Sequence, residues 1–300
     1  MHPKFNTDPA ILERPTEEMG SIIHDFGACT PTQLMLGTDY RLEEDAAYGQ
    51  PSDRADGNMN PCREDPTYYE WAKQHYALQE GAPWDYAILN DNTRDPARAS
   101  SRAEALEYLE RYWVPLLRES GATPVFLWTH AYQPISTEAH PHDMTGMEDI
   151  ANFTSLTYAG LKAYVNLLSP LLPANQRPRI APSGLAFLAV YEQDMQMWQS
   201  LFHNADHLHA SPSGTFLQGL CVHHTLFGKM PPKESVVQTN MQDFWQTARM
   251  MQHDWQPPNP IPTRQEADYL YHIAEQVLVH GYVPATFVNY THGEVAYEQR

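Results

Sequence analysis

The sequence predicts an α/β protein in which helices cover both faces of a parallel β-sheet. Short apolar runs typical of buried strands occur near residues 33–38, 86–90, 123–129 and 178–182. Helical stretches separate these runs, and an alternation of strands and helices is the pattern of a parallel sheet with crossover helices. The 300 residues, of which 42% are hydrophobic, suffice for one sizeable core.

The helices are predicted from apolar residues that recur with a period near 3.6 and from residues that cap helix ends. In chain order they cover residues 16–26, 66–80, 96–119, 152–168, 185–202 and 212–227, and a last helix begins near residue 263. The helix over 212–227 has the fullest set of signals, with Ser211 as N-cap, Pro212 at its first position and Gly228 after its end. Thr263 and Glu266 have capping-box spacing and start the last helix.

The composition excludes several classes of function. The formal net charge is −18, from 37 acidic and 19 basic residues. Nucleic acids and anionic membranes both bind basic surfaces, so neither is expected as a partner. No apolar run approaches the roughly 18 residues of a membrane span. The three cysteines are too few for a disulfide framework and match no zinc motif, and we expect no cofactor.

The chain divides into three parts by composition. Residues 1–15 are polar and contain three prolines, which predicts an extended or disordered arm. Residues 16–228 contain the alternating strands and helices and form the α/β domain. Residues 229–300 are a proline-rich flank whose helix packs on that domain. The N-terminus has no secretory signal pattern, and the compartment stays unassigned.

The candidate chemistry centres on an acid that precedes a histidine by three residues. Asp206 and His209 lie on a short loop immediately before the helix over 212–227. At this spacing the carboxylate can bind one ring nitrogen and leave the other as a base, which is the orienter–base half of a catalytic triad.

Two segments resemble signature blocks of the SGNH (GDSL-type) hydrolases. The run Asp-His-Leu-His-Ala-Ser-Pro-Ser-Gly-Thr-Phe-Leu, residues 206–217, resembles the last block, and Asn90-Asp91-Asn92-Thr93 resembles the Gly-x-Asn-Asp block. The resemblance implies a three-layer α/β/α sandwich with a central parallel sheet. It also implies hydrolysis of an acyl or acetyl ester, of a small molecule or a carbohydrate, by a Ser/Asp/His mechanism.

The resemblance also implies a role for individual residues. His209 would be the general base and Asp206 its orienter. The Asn92 amide would donate to the oxyanion, with Asn90, which stands where glycine is usual, as the alternative. Gly49, on the long loop over 40–68, is the candidate for a second oxyanion donor.

His130 lies at the carboxyl end of the strand near 123–129, the end at which open α/β sheets bind ligands. His130 therefore either lines the substrate pocket or has a structural role.

The block that should carry the nucleophile is not recognisable. Gly20-Ser21 superficially matches it, which makes Ser21 the candidate, but the helix predicted over 16–26 leaves no strand before that serine. Either the nucleophile turn is disguised within residues 1–30, or the chain begins after the first strand.

Two alternatives to an esterase therefore stay open. The chain is a catalytically incompetent or truncated SGNH fold that acts as a binding module, or it is a metal-dependent hydrolase. The metal alternative would use His203, Asp206, His207 and His209, because two histidines four residues apart can share a helix face.

Overall fold

A parallel sheet organises the part of the chain that the computed structural model describes, residues 85–91, 93–133, 146–204, 207–248 and 259–290. Within those residues the sheet has three strands, β1 (Tyr86–Leu89), β2 (Thr123–Leu127) and β3 (Arg179–Ala181). Their spatial order is β1-β2-β3, and both pairings are parallel. Three predicted strands and the coarse α/β class are thereby confirmed. The strand predicted near 33–38 lies outside the described residues.

Helices connect and cover the strands. They are α1 (Ala99–Tyr108), a π-helical turn (Leu109–Trp113), α2 (Val114–Ser120), α3 (Ile150–Leu171), a 3-10 turn (Ala174–Gln176), α4 (Ser183–Gln193), α5 (Met195–Ser200), α6 (Pro212–Phe227), α7 (Lys233–Val236), α8 (Met241–Ala248) and α9 (Arg264–Leu278). The helices predicted over 16–26 and 66–80 lie outside the described residues.

The caps that the sequence indicates for α6 and α9 are present. The Ser211 hydroxyl accepts a hydrogen bond from the Gly214 N–H at 3.2 Å, and Gly228 ends α6 in the left-handed conformation. Thr263 and Glu266 form the complete capping box of α9. These local signals fix both helix starts and therefore the chain on either side of them.

Two predicted helices are divided. The helix expected over 96–119 contains the π-helical turn immediately before α2, whose second residue is Pro115. Proline has no N–H, so the i→i−4 bond at this position is lost and the regular ladder is interrupted there. The helix expected over 185–202 breaks at Asp194, because the carboxylate of this residue accepts a bond from the Met197 N–H at 2.9 Å and caps α5.

One predicted helix end is displaced. The helix predicted over 152–168 runs on through Pro170 to Leu171. The missing proline N–H affects only the carbonyl of Asn166, and both Pro170 and Asn166 are exposed. Water can therefore hydrate that carbonyl, and the helix continues for one more residue.

The buried apolar residues form two clusters. One joins the sheet to α1, α2 and α3, and the other joins α3, α4, α6 and α9. Leu270 and Ile273 place α9 in the second cluster, since both are fully buried. Cys221 of α6 belongs to this cluster too, and burial raises the pKa of its thiol to about 12. No helix in the described ranges has both the length and the apolar character to cross a membrane.

Candidate active site

The strands end at one edge of the sheet, where a polar residue, Asn90, follows β1 directly and His130 lies three residues beyond the end of β2. Leu89 of β1 pairs with Phe126 of β2, so Asn90 lies level with Leu127, three residues before His130. Asn90 is exposed at this edge. Ligands of open parallel sheets bind outside the carboxyl ends of the strands, so an exposed amide here is accessible to a ligand.

Helix α3 holds the turn that follows β1. The Tyr164 hydroxyl donates to a carboxylate oxygen of Asp91 at 3.0 Å, and the Thr157 hydroxyl donates to the Thr93 carbonyl at 3.2 Å. Burial raises the pKa of Tyr164 well above its usual value, and the nearby carboxylates of Asp91 and Asp95 add to this shift. The hydroxyl therefore stays protonated and remains a donor. Asn92, between the two anchored residues, lies outside the described residues.

The residues before α6 form a loop whose two ends are bonded to each other, and we call these paired ends the neck. We call residues 203–209 the histidine loop. Phe202 and Ala210 form an antiparallel bridge on either side of it, and the Ser211 N–H donates to the Leu201 carbonyl at 2.8 Å. The His203 N–H donates to the His209 carbonyl at 2.7 Å. The backbone of His209 is thus fixed at the neck.

His209 is exposed beside the neck. Asp206 lies outside the described residues, so its contact with the His209 ring stays a prediction. Ser21 and Gly49 also lie outside them.

His130 joins the strand edge to the histidine loop. Its ring is buried, with Nε2 2.7 Å from the Leu208 carbonyl and Nδ1 3.1 Å from the Gln218 amide nitrogen of α6. The carbonyl only accepts, so Nε2 carries the hydrogen and Nδ1 accepts from the amide. The ring also stacks on Phe187 at 4.3 Å between centroids. Of the two roles open to His130, these contacts support the structural one.

A further residue, Gln133, holds the loop, and sequence analysis did not single it out for this role. The amide oxygen of Gln133 lies 2.8 Å from Nδ1 of His207, and the Gln133 N–H donates to the His207 carbonyl at 3.2 Å. Gln133 is buried. A glutamine after a strand has no spacing signal of its own, so nothing in the sequence marks it.

His207 adopts a backbone conformation that is unusual for a residue with a side chain. Its φ is 59°, and it is the sole residue other than glycine with a positive φ among those the structure describes. Such strain costs on the order of 1 kcal/mol and persists only where the surroundings enforce it, which is often at functional sites.

The metal alternative receives no support from this part of the chain. His203 and His207 lie on a loop rather than on a helix, although the His207 N–H bonds the His203 carbonyl at 2.9 Å. Within the described ranges no group of three or more histidine, cysteine or acidic side chains is arranged to hold a metal ion. Asp206, which this alternative also needs, is not among those residues.

Comparisons with protein-family models, with curated proteins and with solved structures found no match for this chain.

Proposed function

We propose that this protein is a hydrolase that cleaves acyl or acetyl esters, including those of carbohydrates, by a Ser/Asp/His mechanism. The proposal includes a three-layer α/β/α sandwich whose first strand is either disguised near the N-terminus or missing from this chain. The observation that supports it most is the placement of an exposed histidine, His209, on a loop tied to the carboxyl edge of a parallel sheet. The ties come from His130 and Gln133, which follow β2.

In the proposed reaction His209 first accepts a proton and then returns it. A serine hydroxyl attacks the ester carbonyl carbon while His209 takes the hydroxyl proton, and Asp206 stabilises the resulting imidazolium. The negative oxygen of the tetrahedral intermediate accepts a hydrogen bond from the amide of Asn92 or Asn90. The bond to the alcohol then breaks as His209 returns the proton to the leaving oxygen. Water repeats the sequence on the acyl-enzyme and releases the acid.

Neutral hydrogen-bond donors suit the oxyanion position. An amide donates without titrating, and the loss of one such donor typically costs about 3 kcal/mol of transition-state stabilisation. Asn90 is exposed at the carboxyl edge of the sheet, and Asp91 and Thr93, the neighbours of Asn92 in the sequence, both bond α3. Both asparagines therefore remain candidates for the same role.

The test is hydrolysis of p-nitrophenyl acetate by the full chain. Replacement of the base in His209→Ala should lower kcat/KM by about 100- to 10,000-fold. His280→Ala is the matched control, because His280 is an exposed histidine beyond the end of α9, and it should hydrolyse the ester at the wild-type rate.

Two additions to this assay separate the alternatives. A serine-directed phosphonate, followed by mass spectrometry of the labelled peptide, should identify the nucleophile and tests Ser21 directly. Loss of activity in a chelator would support the metal-dependent alternative. Absence of both hydrolysis and labelling in the wild type would overturn the proposal in favour of a binding module.

A further inference from the structure

The histidine loop is held at His207 and Leu208 as well as at its neck. The neck contacts hold the His203 N–H and the His209 carbonyl, and the His207 N–H bonds the His203 carbonyl within the loop; further contacts come from outside the loop. Two residues of the segment after β2, His130 and Gln133, hold two consecutive loop residues, and the Asn259 side chain accepts a bond from the Asn204 N–H at 2.9 Å. His130 binds the Leu208 carbonyl, and Gln133 binds the ring and the carbonyl of His207.

The orientation of the Gln133 amide follows from its second partner. The amide nitrogen donates to the Gln199 carbonyl at the end of α5, at 3.2 Å. A carbonyl only accepts hydrogen bonds, so the nitrogen must face it and the amide oxygen must face His207. The 2.8 Å contact with the ring is therefore a bond that the ring donates.

This orientation fixes the tautomer of His207. Because Nδ1 carries the hydrogen that the Gln133 oxygen accepts, Nε2 of the neutral ring is a lone-pair acceptor. Gln133 is 6% exposed, so water does not readily replace either of its bonds.

The strained backbone of His207 makes the loop depend on this bond. A residue with a side chain keeps a φ of 59° only if its surroundings compensate for the strain. The compensating contacts are the bond from the His207 N–H to His203 and the two bonds to Gln133. His209 lies two residues beyond His207, so relaxation of this backbone changes the direction in which the His209 side chain leaves the chain, although the His209 carbonyl stays bonded at the neck.

We propose that Gln133 is the positioning residue of the site: it fixes His207 in its strained conformation and Nδ1–H tautomer, and thereby sets the place of the base His209. This inference rests on the proposed function, since His209 is a base only in that reaction. Gln133 itself does not touch the reacting atoms.

The first test is Gln133→Met, which keeps the length of the side chain, removes its two side-chain hydrogen bonds, to the His207 ring and to the Gln199 carbonyl, and leaves the backbone bond to the His207 carbonyl. A misplacement of the base by about 1 Å costs up to about 100-fold in rate. We therefore expect kcat for p-nitrophenyl acetate to fall by about 10- to 100-fold while KM changes by less than about twofold. Gln193→Met is the control, because Gln193 is exposed on α4 and its amide bonds the side chain of Gln276, and it should keep the wild-type kcat.

The second test measures the tautomer directly. Nitrogen-15 NMR of the His207 ring should show hydrogen on Nδ1 in the neutral wild type and in Gln133→Glu, whose carboxylate still accepts this bond. It should show loss of that preference in Gln133→Met. The Glu variant also serves if the Met variant fails to fold, since it should keep the tautomer and more of the activity.

The outcomes separate the two proposals. A wild type that hydrolyses esters with hydrogen on Nε2 of His207, or a folded Gln133→Met with unchanged kcat, overturns the role of Gln133 alone. A wild type with the Nδ1–H tautomer that hydrolyses no ester overturns the proposed function, and the assignment of His209 as a base with it.

Discussion

The Tyr164 hydroxyl ties helix α3 to the turn after β1, across 73 residues of chain. The tyrosine ring is fully buried against the sheet, with its centroid 5.5 Å from that of Phe126, and only its hydroxyl reaches a carboxylate. A buried hydroxyl that is bonded to an ionised acid contributes more than a neutral pair does. This hydroxyl thus ties α3 to Asp91, the residue after the exposed Asn90.

Tyr164→Phe tests that contribution with the ring kept in place. We expect the free energy of unfolding to fall by about 1–3 kcal/mol, because Asp91 loses a buried donor. Urea unfolding measures the loss. Tyr158→Phe is the control, since the half-buried Tyr158 acts by stacking on Trp128, and it should change stability by less than about 0.5 kcal/mol. Equal losses in the two variants would contradict the role given to Tyr164.

Gln133 and His130 show where residue-level prediction ends. His130 is conspicuous because a histidine follows a buried strand, but its partners Leu208 and Gln218 are remote in the sequence. Gln133 has no local pattern at all. Their roles depend on which loop packs against the strand end, and only the tertiary structure supplies that information.

At the scale of elements, α6 is the helix whose close packing shapes the neck of the histidine loop. Gly214, in its first turn, lies so near the Leu201 carbonyl that a Cβ there would come within 2.2 Å of the oxygen. That carbonyl also accepts the Ser211 N–H that closes the neck. By contrast, Gly219 lies on the exposed side of the same helix, with nothing within 4 Å of an added Cβ.

The two glycines of α6 therefore respond to alanine with opposite signs. Gly214→Ala should lower the free energy of unfolding by more than about 2 kcal/mol, because backbone has to move to relieve the clash. Gly219→Ala should raise it by about 0.5–1 kcal/mol, because alanine loses less backbone entropy in a helix. Thermal unfolding of both variants checks the pair. Destabilisation by Gly219→Ala, or tolerance of Gly214→Ala, would show that the packing of α6 differs from this account.

Elements with local signals are predictable from the sequence, and those shaped by packing are not. The caps of α6 and α9 lie within a few residues of the helix ends, so Ser211 and Thr263 mark those ends correctly. The strands are short apolar runs between polar residues, which is also a local signal. The break at Asp194 and the π-helical turn at 109–113 depend on which of several alternative hydrogen bonds form in the folded chain. The period of the apolar residues does not reveal that choice.

At the scale of the whole molecule, residues 285–288 contact helices that are distant from one another in the sequence. Glu192 of α4 accepts hydrogen bonds from the backbone N–H groups of Ala285 and Thr286 at 2.9 and 2.7 Å. The Val288 N–H bonds the Ser155 hydroxyl of α3 at 2.9 Å, and Phe287 packs on Trp128. Residues 285–288 thus join α3, α4 and the end of β2.

The hydrogen bonds of the Glu192 carboxylate make the stability of these contacts depend on pH. Partial burial acts to raise the pKa of Glu192, but the hydrogen bonds from Thr286, Ala285 and Tyr282 outweigh it and hold the pKa below the usual 4.5. A carboxylate with a lowered pKa contributes stability that is fully present above its unfolded pKa and is lost as the pH falls through its folded value. The contribution is therefore constant near neutral pH and disappears in acid.

Glu192→Gln should destabilise the protein by about 1 kcal/mol at pH 7, a value that allows for the partial exposure of the group. The difference from the wild type should shrink below about pH 4.5, where the wild-type carboxylate gains its proton. Urea unfolding at pH 7 and at pH 3 measures both differences. Glu107→Gln, on the exposed side of α1, should match the wild type throughout. A difference that is independent of pH would rule out the carboxylate as its source.

The contacts that shape the histidine loop span long stretches of chain: 78 residues for His130 with Leu208, 74 for Gln133 with His207 and 88 for His130 with Gln218. Contacts of such high order form only after the intervening chain has lost most of its freedom. We therefore expect the loop to reach its working shape late in folding, after β2 and α6 have docked. If the protein hydrolyses esters as proposed, activity during refolding would then appear only when the native state is complete, and not when the chain first collapses.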